Sequence, residues 1–225
     1  MRCSIWVRDP AASWIVDTGP DLRSQCLRAG ITALDAVLIT HPHTDHIMGF
    51  DDLRRFSGVH PEGLPIHAAP STLAMLRQAF HFAFQRHEPV PGYLFPKPCP
   101  VEGPFRVGTT SVRPFPVVHG HTPTLGFRFD FEGGPSVAYC SDAKEVGPEA
   151  REILRGIEVL ICDALRPRPH PTHMCFDEAL ALSEALGRPA TYFTHFSCDV
   201  CHAEDEKILP SHVRLAYDTL ELDFP

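Results

Sequence analysis

Apolar residues along the chain fall into short runs separated by turn chemistry, and the runs alternate between two periods. Ser4 to Val7 and Trp14 to Val16 read as short strands around a turn at Asp9-Pro10. Asp17-Thr18-Gly19-Pro20-Asp21 is a turn leading into a helix over Leu22 to Ala29, closed by Gly30. Ala36 to Thr40 reads as a buried strand, Gly49 to Phe56 as helical and Ile66 to Ala68 as a strand. Ser71, after Pro70, is expected to cap a helix whose apolar positions are Leu73, Leu76, Phe80 and Phe84. His87 to Pro104 is rich in Pro and Gly and reads as a loop. Strands follow at Ser111 to Val118, Leu125 to Phe131 and Ser136 to Cys140, with Gly133-Gly134 turning a hairpin between the last two. Then come a helix over Pro148 to Leu154, a buried strand over Val159 to Asp163, a helix over Phe176 to Leu186 and a strand over Tyr192 to Thr194. Val213 to Ala216 and Thr219 to Leu222 are expected to close as a hairpin around Tyr217-Asp218. The pattern is that of an α/β protein with strands in two groups and helices outside.

Composition bounds this picture. A chain of 225 residues is long enough for one large domain with a full core, and 44% hydrophobic and 21% charged residues are ordinary for a globular protein. The formal charge of −8, with no long basic arm, disfavours a nucleic-acid partner. No apolar run reaches membrane-spanning length, and Met1-Arg2-Cys3-Ser4 is not followed by a signal-type apolar region. Apart from Cys198 and Cys201, the eight cysteines are scattered, which points to thiols in a reducing, cytoplasmic compartment. The sequence leaves the oligomeric state open, with a homodimer as the candidate assembly.

The densest chemistry is Thr40-His41-Pro42-His43-Thr44-Asp45-His46, directly after a buried strand. His41 and His43 are two apart, so in an extended segment they point the same way, while Asp45 and His46 diverge where a helix can start. Imidazole with carboxylate suits zinc, iron or manganese. The alternative is a solvated, His-rich turn. Further candidate ligands come just past apolar strands: His119, Asp142 and His195. Strand ends are where sites are commonly built on a rigid scaffold.

Taken together these residues resemble the metallo-β-lactamase superfamily, and within it the PhnP-like phosphodiesterase branch near the tRNase Z group. The resemblance runs through Ile15-Val16-Asp17-Thr18-Gly19, the His41 to His46 motif, Val118-His119-Gly120, Ser141-Asp142, His170-Pro171-Thr172-His173 before Asp177-Glu178-Ala179-Leu180, and Thr194-His195-Phe196-Ser197. It covers almost the whole chain. It implies a four-layer αββα sandwich, a single domain over residues 1–225, with two divalent metal ions, zinc or manganese, at one edge. His41, His43 and His119 would hold one ion, Asp45, His46 and His195 the other, and Asp142 would bridge them. Two cations roughly 3.5–4 Å apart can share a hydroxide nucleophile and bind both free oxygens of a phosphodiester. His173, with Asp45, is assigned to catalysis: His173 would protonate the leaving alkoxide, the bland reading being a histidine at a helix start. His170 is left as a loop histidine. Asp17 is either a carboxylate that orients one ligand imidazole or a turn residue capping the Leu22 helix. Asp163 is open between the same two kinds of role.

The implied reaction is hydrolysis of a small phosphodiester, such as phosphoribosyl 1,2-cyclic phosphate. A thioester or lactam hydrolase of the same superfamily and a non-catalytic metal carrier are the alternatives. Two departures from the family stand out. Relatives begin with a further strand and a Cys-rich segment, so Met1 falls where they already have their second or third strand, and an exposed sheet edge is expected. Cys198, Cys201 and His202 have the spacing of a structural zinc site, yet the N-terminal cysteines that complete it in relatives are missing; a plain or redox dithiol is the other reading.

Overall fold

The computed structural model describes residues 1–224. It divides into two compact units, Met1–Thr109 and Thr110 onward. Each is built on a β-sheet with its own apolar core, and the fold is mixed α/β.

In the first unit, β1 (Ile5–Arg8) and β2 (Ser13–Val16) form an antiparallel hairpin. The Asp9 carboxylate accepts the Ala11 and Ala12 amides at 2.8 and 2.7 Å, which fixes the turn. From β2 the sheet continues in parallel through β3 (Ala36–Leu38), β4 (Leu64–Ala68) and β5 (Pro96–Pro100). Helix α1 (Leu22–Ala29) crosses from β2 to β3 and ends, as expected, at Gly30, whose φ of 66° is the left-handed conformation a glycine tolerates. Short α2 (Thr44–Ile47) follows the histidine motif, and the stretch after Gly49 is a 3₁₀ turn over Phe50–Leu53 running into α3 (Arg54–Ser57). Helix α4 (Pro70–Ala79) and α5 (His81–Phe84) complete the unit. Ile15, Val37, Ile39 and Ile66 pack against Leu22, Phe50, Leu53, Leu73 and Leu76, one sheet face against its helices.

Two expectations fail here. Ser71 does not cap α4: the N-cap is Ala69, and Pro70 occupies the first turn, where its missing N–H is no loss. The loop expected over 87–104 contains β5, a strand of sequence Pro-Lys-Pro-Cys-Pro. It is an edge strand, and Leu64 donates to the Phe95 carbonyl while Val101 donates to the Ala68 carbonyl. Odd-numbered residues therefore face β4, and the three prolines turn their donorless nitrogens to the open edge, the place where a sheet accepts them. A further short strand, β6 (Phe105–Val107), follows directly after that stretch.

In the second unit the order is β12-β11-β10-β9-β8-β7. β7 (Thr110–Val117), β8 (Thr124–Asp130) and β9 (Ser136–Cys140) are antiparallel; β10 (Val159–Asp163), β11 (Ala190–Thr194) and β12 (Val213–Leu215) then add in parallel. Helices α6 (Pro148–Ile153) and α7 (Phe176–Ala185) make the two crossovers that join the parallel strands β9, β10 and β11, and α8 (His202–Asp205) precedes β12. Phe115, Leu160, Cys162 and Phe193 pack with Leu154, Phe176, Ala179 and Leu182. The hairpin expected at the end does not form: β12 pairs with β11, and Leu220 donates to the Tyr217 carbonyl in a turn where Thr219 has a φ of 73°. The chain turns on itself there and offers no extended partner.

Parallel strands share one direction, so their carboxyl ends lie side by side. That places Asp142, Asp163 and His195 together past β9, β10 and β11, and Asp17 beside Thr40 and His41 past β2 and β3, the usual location of sites in parallel sheets.

Candidate metal centre

In the first unit everything converges on Asp17. It sits in the left-handed region, φ 65°, fully buried, with its amide donating to the Leu38 carbonyl. Its Oδ1 accepts the Thr40 amide at 2.8 Å, and its Oδ2 accepts the Thr40 hydroxyl and His46 Nδ1, each at 2.8 Å. His41 Nδ1 lies 2.9 Å from the Thr40 hydroxyl, which already donates to Asp17 and so accepts the His41 proton. Both imidazoles are thereby fixed as Nδ1–H tautomers, which makes Nε2 the ring nitrogen that carries the lone pair. His41 Nε2 faces His43 Nδ1 at 2.9 Å; two nitrogens on one tetrahedral zinc would lie about 3.3 Å apart, so the pair is close to ligand geometry. The His41 and His46 rings are 4.3 Å apart, and Asp45 Oδ2 lies 3.7 Å from His46 Nε2. Asp17 thus holds the side chains of Thr40 and His46 and does not cap α1, whose N-cap is Asp21.

The turn that carries Asp17 is stitched to the motif by Thr18 donating to the His46 carbonyl at 2.7 Å and Gly49 donating to the Thr18 carbonyl at 2.8 Å. Gly19 and Gly49 are required by this approach. A Cβ on Gly19 would collide with the Asp45 carbonyl, and one on Gly49 with the Gly19 carbonyl.

In the second unit the carboxylate of Asp142 is the hub. Its Oδ2 lies 3.7 Å from His119 Nε2 and 3.4 Å from His195 Nε2. His119 Nδ1 donates to the Thr172 carbonyl at 2.9 Å, which again puts the ring's lone pair on Nε2. His195, past β11, has a φ of 63°, a strained backbone of the kind kept at functional sites. His173 Nδ1 meets Asp163 Oδ2 at 2.7 Å, and its ring stacks on His195 at 5.0 Å between centroids and 11° between planes. Donor atoms of His119, Asp142 and His173, and of Asp163, His173 and His195, lie within 4.8 Å of one another. Burial holds the His119 imidazole below its ordinary value and pushes the Asp163 carboxyl well above the carboxylate range. Asp163, which also accepts the Ala143 amide at 2.9 Å, proves to be the partner of His173.

The whole stretch 14–196 matches the family described as the beta-lactamase superfamily domain. The chain belongs to that family. A crystal structure of a diphosphatase from the PhnP family is 35% identical with a TM-score of 0.88, covering 100% of this chain and 85% of that one, so membership extends to the PhnP family. An octanoyltransferase of Porphyromonas gingivalis is 35% identical over 96% of this chain; the chain spans only 43% of that protein's length. A ribonuclease Z of Mycobacterium bovis is 28% identical over 91% of this chain and 82% of its own length.

For a metallo-β-lactamase fold, which binds divalent metals such as zinc, the donor set fits: imidazole nitrogens with fixed tautomers and carboxylate oxygens. Cys198, Cys201 and His202 are a different matter. Among the described residues they form no such group; both thiols are exposed and His202 Nε2 lies 3.1 Å from the Leu215 carbonyl. Two supporting contacts escaped the sequence reading. Thr40 as a relay to His41 had a signal, a hydroxyl directly before the first histidine; the Thr172 carbonyl that holds His119 across 53 residues had none. No helix among the described residues is long and apolar enough to cross a membrane.

Proposed function

We propose that this metallo-β-lactamase fold hydrolase cleaves phosphodiesters, with small cyclic phosphates such as phosphoribosyl 1,2-cyclic phosphate as its substrate class. The ligand sets carried by the family resemblance are part of the proposal: His41, His43 and His119 for one divalent ion, Asp45, His46 and His195 for a second, zinc or manganese, and Asp142 for both. When bound, such a pair supplies Lewis acidity toward phosphoryl oxygens and lowers the pKa of a water.

The observation that carries the reading is the Asp163–His173 pair beside Asp142. Asp163 orients the His173 ring through Nδ1 at 2.7 Å, and when Nε2 is protonated the imidazolium draws the buried Asp163 carboxyl back toward its ionised form, so the two share the charge. A protonated Nε2 can pass its proton to the alkoxide that leaves phosphorus, the demand a diester makes and the reason for a histidine that is not itself needed as a ligand. His173 is about one-eighth exposed at its side chain, enough for a substrate to reach it.

Protein loaded with manganese or zinc is expected to cleave bis(p-nitrophenyl) phosphate, and to lose that activity in Asp142→Ala and in His43→Ala while His212→Ala keeps it. Survival of activity in both ligand variants sinks the assignment. A panel of cyclic phosphates, linear diesters and thioesters then ranks the substrate classes.

A further inference from the structure

The loop that delivers His173 reads Arg166-Pro167-Arg168-Pro169-His170-Pro171, a basic residue or histidine before every proline. Each residue before a proline is confined to extended backbone and each proline has a fixed φ, so the loop has little freedom to lose on binding. Its ends are pinned: Leu165 donates to the Met174 carbonyl at 2.9 Å and Phe176 to the Arg166 carbonyl at 3.2 Å. Arg166 braces the inside, donating Nε to the Arg168 carbonyl at 3.3 Å and an Nη to the Pro169 carbonyl at 3.1 Å.

That leaves Arg168 and His170 facing outward. Arg168 is 74% exposed and touches Asp199 at 3.0 Å through one Nη; Arg166 reaches the same carboxylate at 3.5 Å, so two guanidiniums share one acid and the cluster keeps a positive charge. His170 Nδ1 accepts the Thr172 amide at 3.3 Å, which assigns the ring proton to Nε2, an N–H donor at the surface. The His170 ring is 5.1 Å from that of His173. In a chain with a formal charge of −8, a rigid loop with net positive charge beside the proton donor is a local reversal of sign that an anionic substrate can read.

We propose that Arg168 and His170 are specificity-determining residues that grip a second, non-reacting phosphate of the substrate while the diester reacts near His173. Arg168 offers a forked, charge-assisted contact and His170 a neutral N–H. The assignment rests on the phosphodiesterase reading, and two measurements separate their failures. KM and kcat are measured for adenosine 2′,3′-cyclic phosphate with and without a 5′-phosphate. In Arg168→Gln, KM for the 5′-phosphorylated compound is expected to rise about tenfold with kcat and the unphosphorylated substrate unchanged, and Arg168→Lys to recover part of the loss. His170→Phe is expected to act in the same direction, more weakly. Equal effects on both substrates, or none on either, overturn the assignment. Ribose 5-phosphate, which has no diester to cleave, is titrated calorimetrically into the metal-loaded wild type and Arg168→Gln. Weaker binding in the variant supports the anchor even if no cyclic phosphate is turned over, in which case the phosphodiesterase reading alone falls; equal binding overturns the anchor.

Discussion

The two units carry their candidate ligands in opposite ways. In the first, the ligands are neighbours in sequence, His41 to His46, and what holds them is closed off: Asp17, Thr40, His41 and His46 are all at most 1% exposed. In the second, the residues come from the ends of separate strands and from a loop, and His173 and His195 keep 12 and 13% of their side chains open to solvent. Each unit has one buried aspartate gripping a histidine Nδ1, Asp17 on His46 and Asp163 on His173, both with 0% exposure. The difference lies in what else the aspartate holds. Asp17 takes two contacts from Thr40 as well, and so orients two proposed ligands at once; Asp163 takes one backbone amide and orients a residue proposed to move a proton. On the proposed reading one half fixes a cation and the other leaves a side chain in reach of a substrate.

The largest expected effect breaks the open half. His173→Ala should lower kcat by about 10²- to 10⁴-fold, the usual contribution of a positioned acid, while bound metal measured by mass spectrometry stays at the wild-type level. Loss of metal with activity would make His173 a ligand and erase the contrast. Next is the closed half. In Asp17→Asn an amide N–H must face one of three converging donors, Thr40 N, Thr40 Oγ1 or His46 Nδ1, so the tautomers of His41 and His46 are no longer fixed. Metal affinity from chelator competition should fall about 10- to 100-fold, the range for partners of ligand histidines. Asp163→Asn should leave metal affinity unchanged and lower kcat. If the two aspartates behave alike, the division of labour between the halves is wrong.

A smaller effect tests the stitching around Asp17. Gly49→Ala sets a Cβ against the Gly19 carbonyl and Leu22 Cβ, and should destabilise the protein by about 1–3 kcal/mol in urea unfolding, as overpacking does. Gly58→Ala, where a Cβ meets nothing within 4 Å and φ is −66°, should be near neutral. Equal midpoints for the two variants would show that the close approach of the Asp17 turn to the motif is not under strain.

This contrast also explains what the sequence could tell. The closed half was legible because a buried-strand pattern, Ala36 to Ile39, runs straight into its candidate ligands, and because α1 announces its end with Gly30. The scattered half came into view through the family resemblance, since spacing alone says nothing of which strands are neighbours; parallel pairing of β9, β10 and β11 is what sets Asp142, Asp163 and His195 side by side. Asp17 and Asp163 stayed undecided for one reason: an aspartate after a strand serves a turn or a histidine equally well until a partner far along the chain is placed. Local rules misled where tertiary context overrode them. Pro-Lys-Pro-Cys-Pro reads as loop in any window, and only its edge position makes it a strand. Thr219 to Leu222 has the apolar alternation of a strand but no neighbour to pair with.

The smallest effect concerns stability in the closed half and is read as a pH dependence. His67 lies in β4 with its ring stacked on Phe105, centroids 4.4 Å apart and planes 5° from parallel. Burial drops its imidazole from 6.5 to about 4, because the charged form would lose its water. The unfolded chain therefore binds a proton at His67 that the folded chain refuses, between pH 6.5 and about 4. The stabilisation is complete above the unfolded value and is lost as pH falls toward the folded one, at a slope of at most about 1.4 kcal/mol per pH unit. From pH 6.5 to 5.5 the loss from this one group should be about 1 kcal/mol, since the unfolded imidazole is only partly protonated at the start of that interval. His67→Phe keeps a flat ring against Phe105 and removes the titration, so its unfolding free energy should fall less over the same interval than that of the wild type. Parallel pH profiles for the two proteins would mean that His67 is hydrated enough to titrate normally, and that the packing of β4 against Phe105 is looser than the stacked rings indicate.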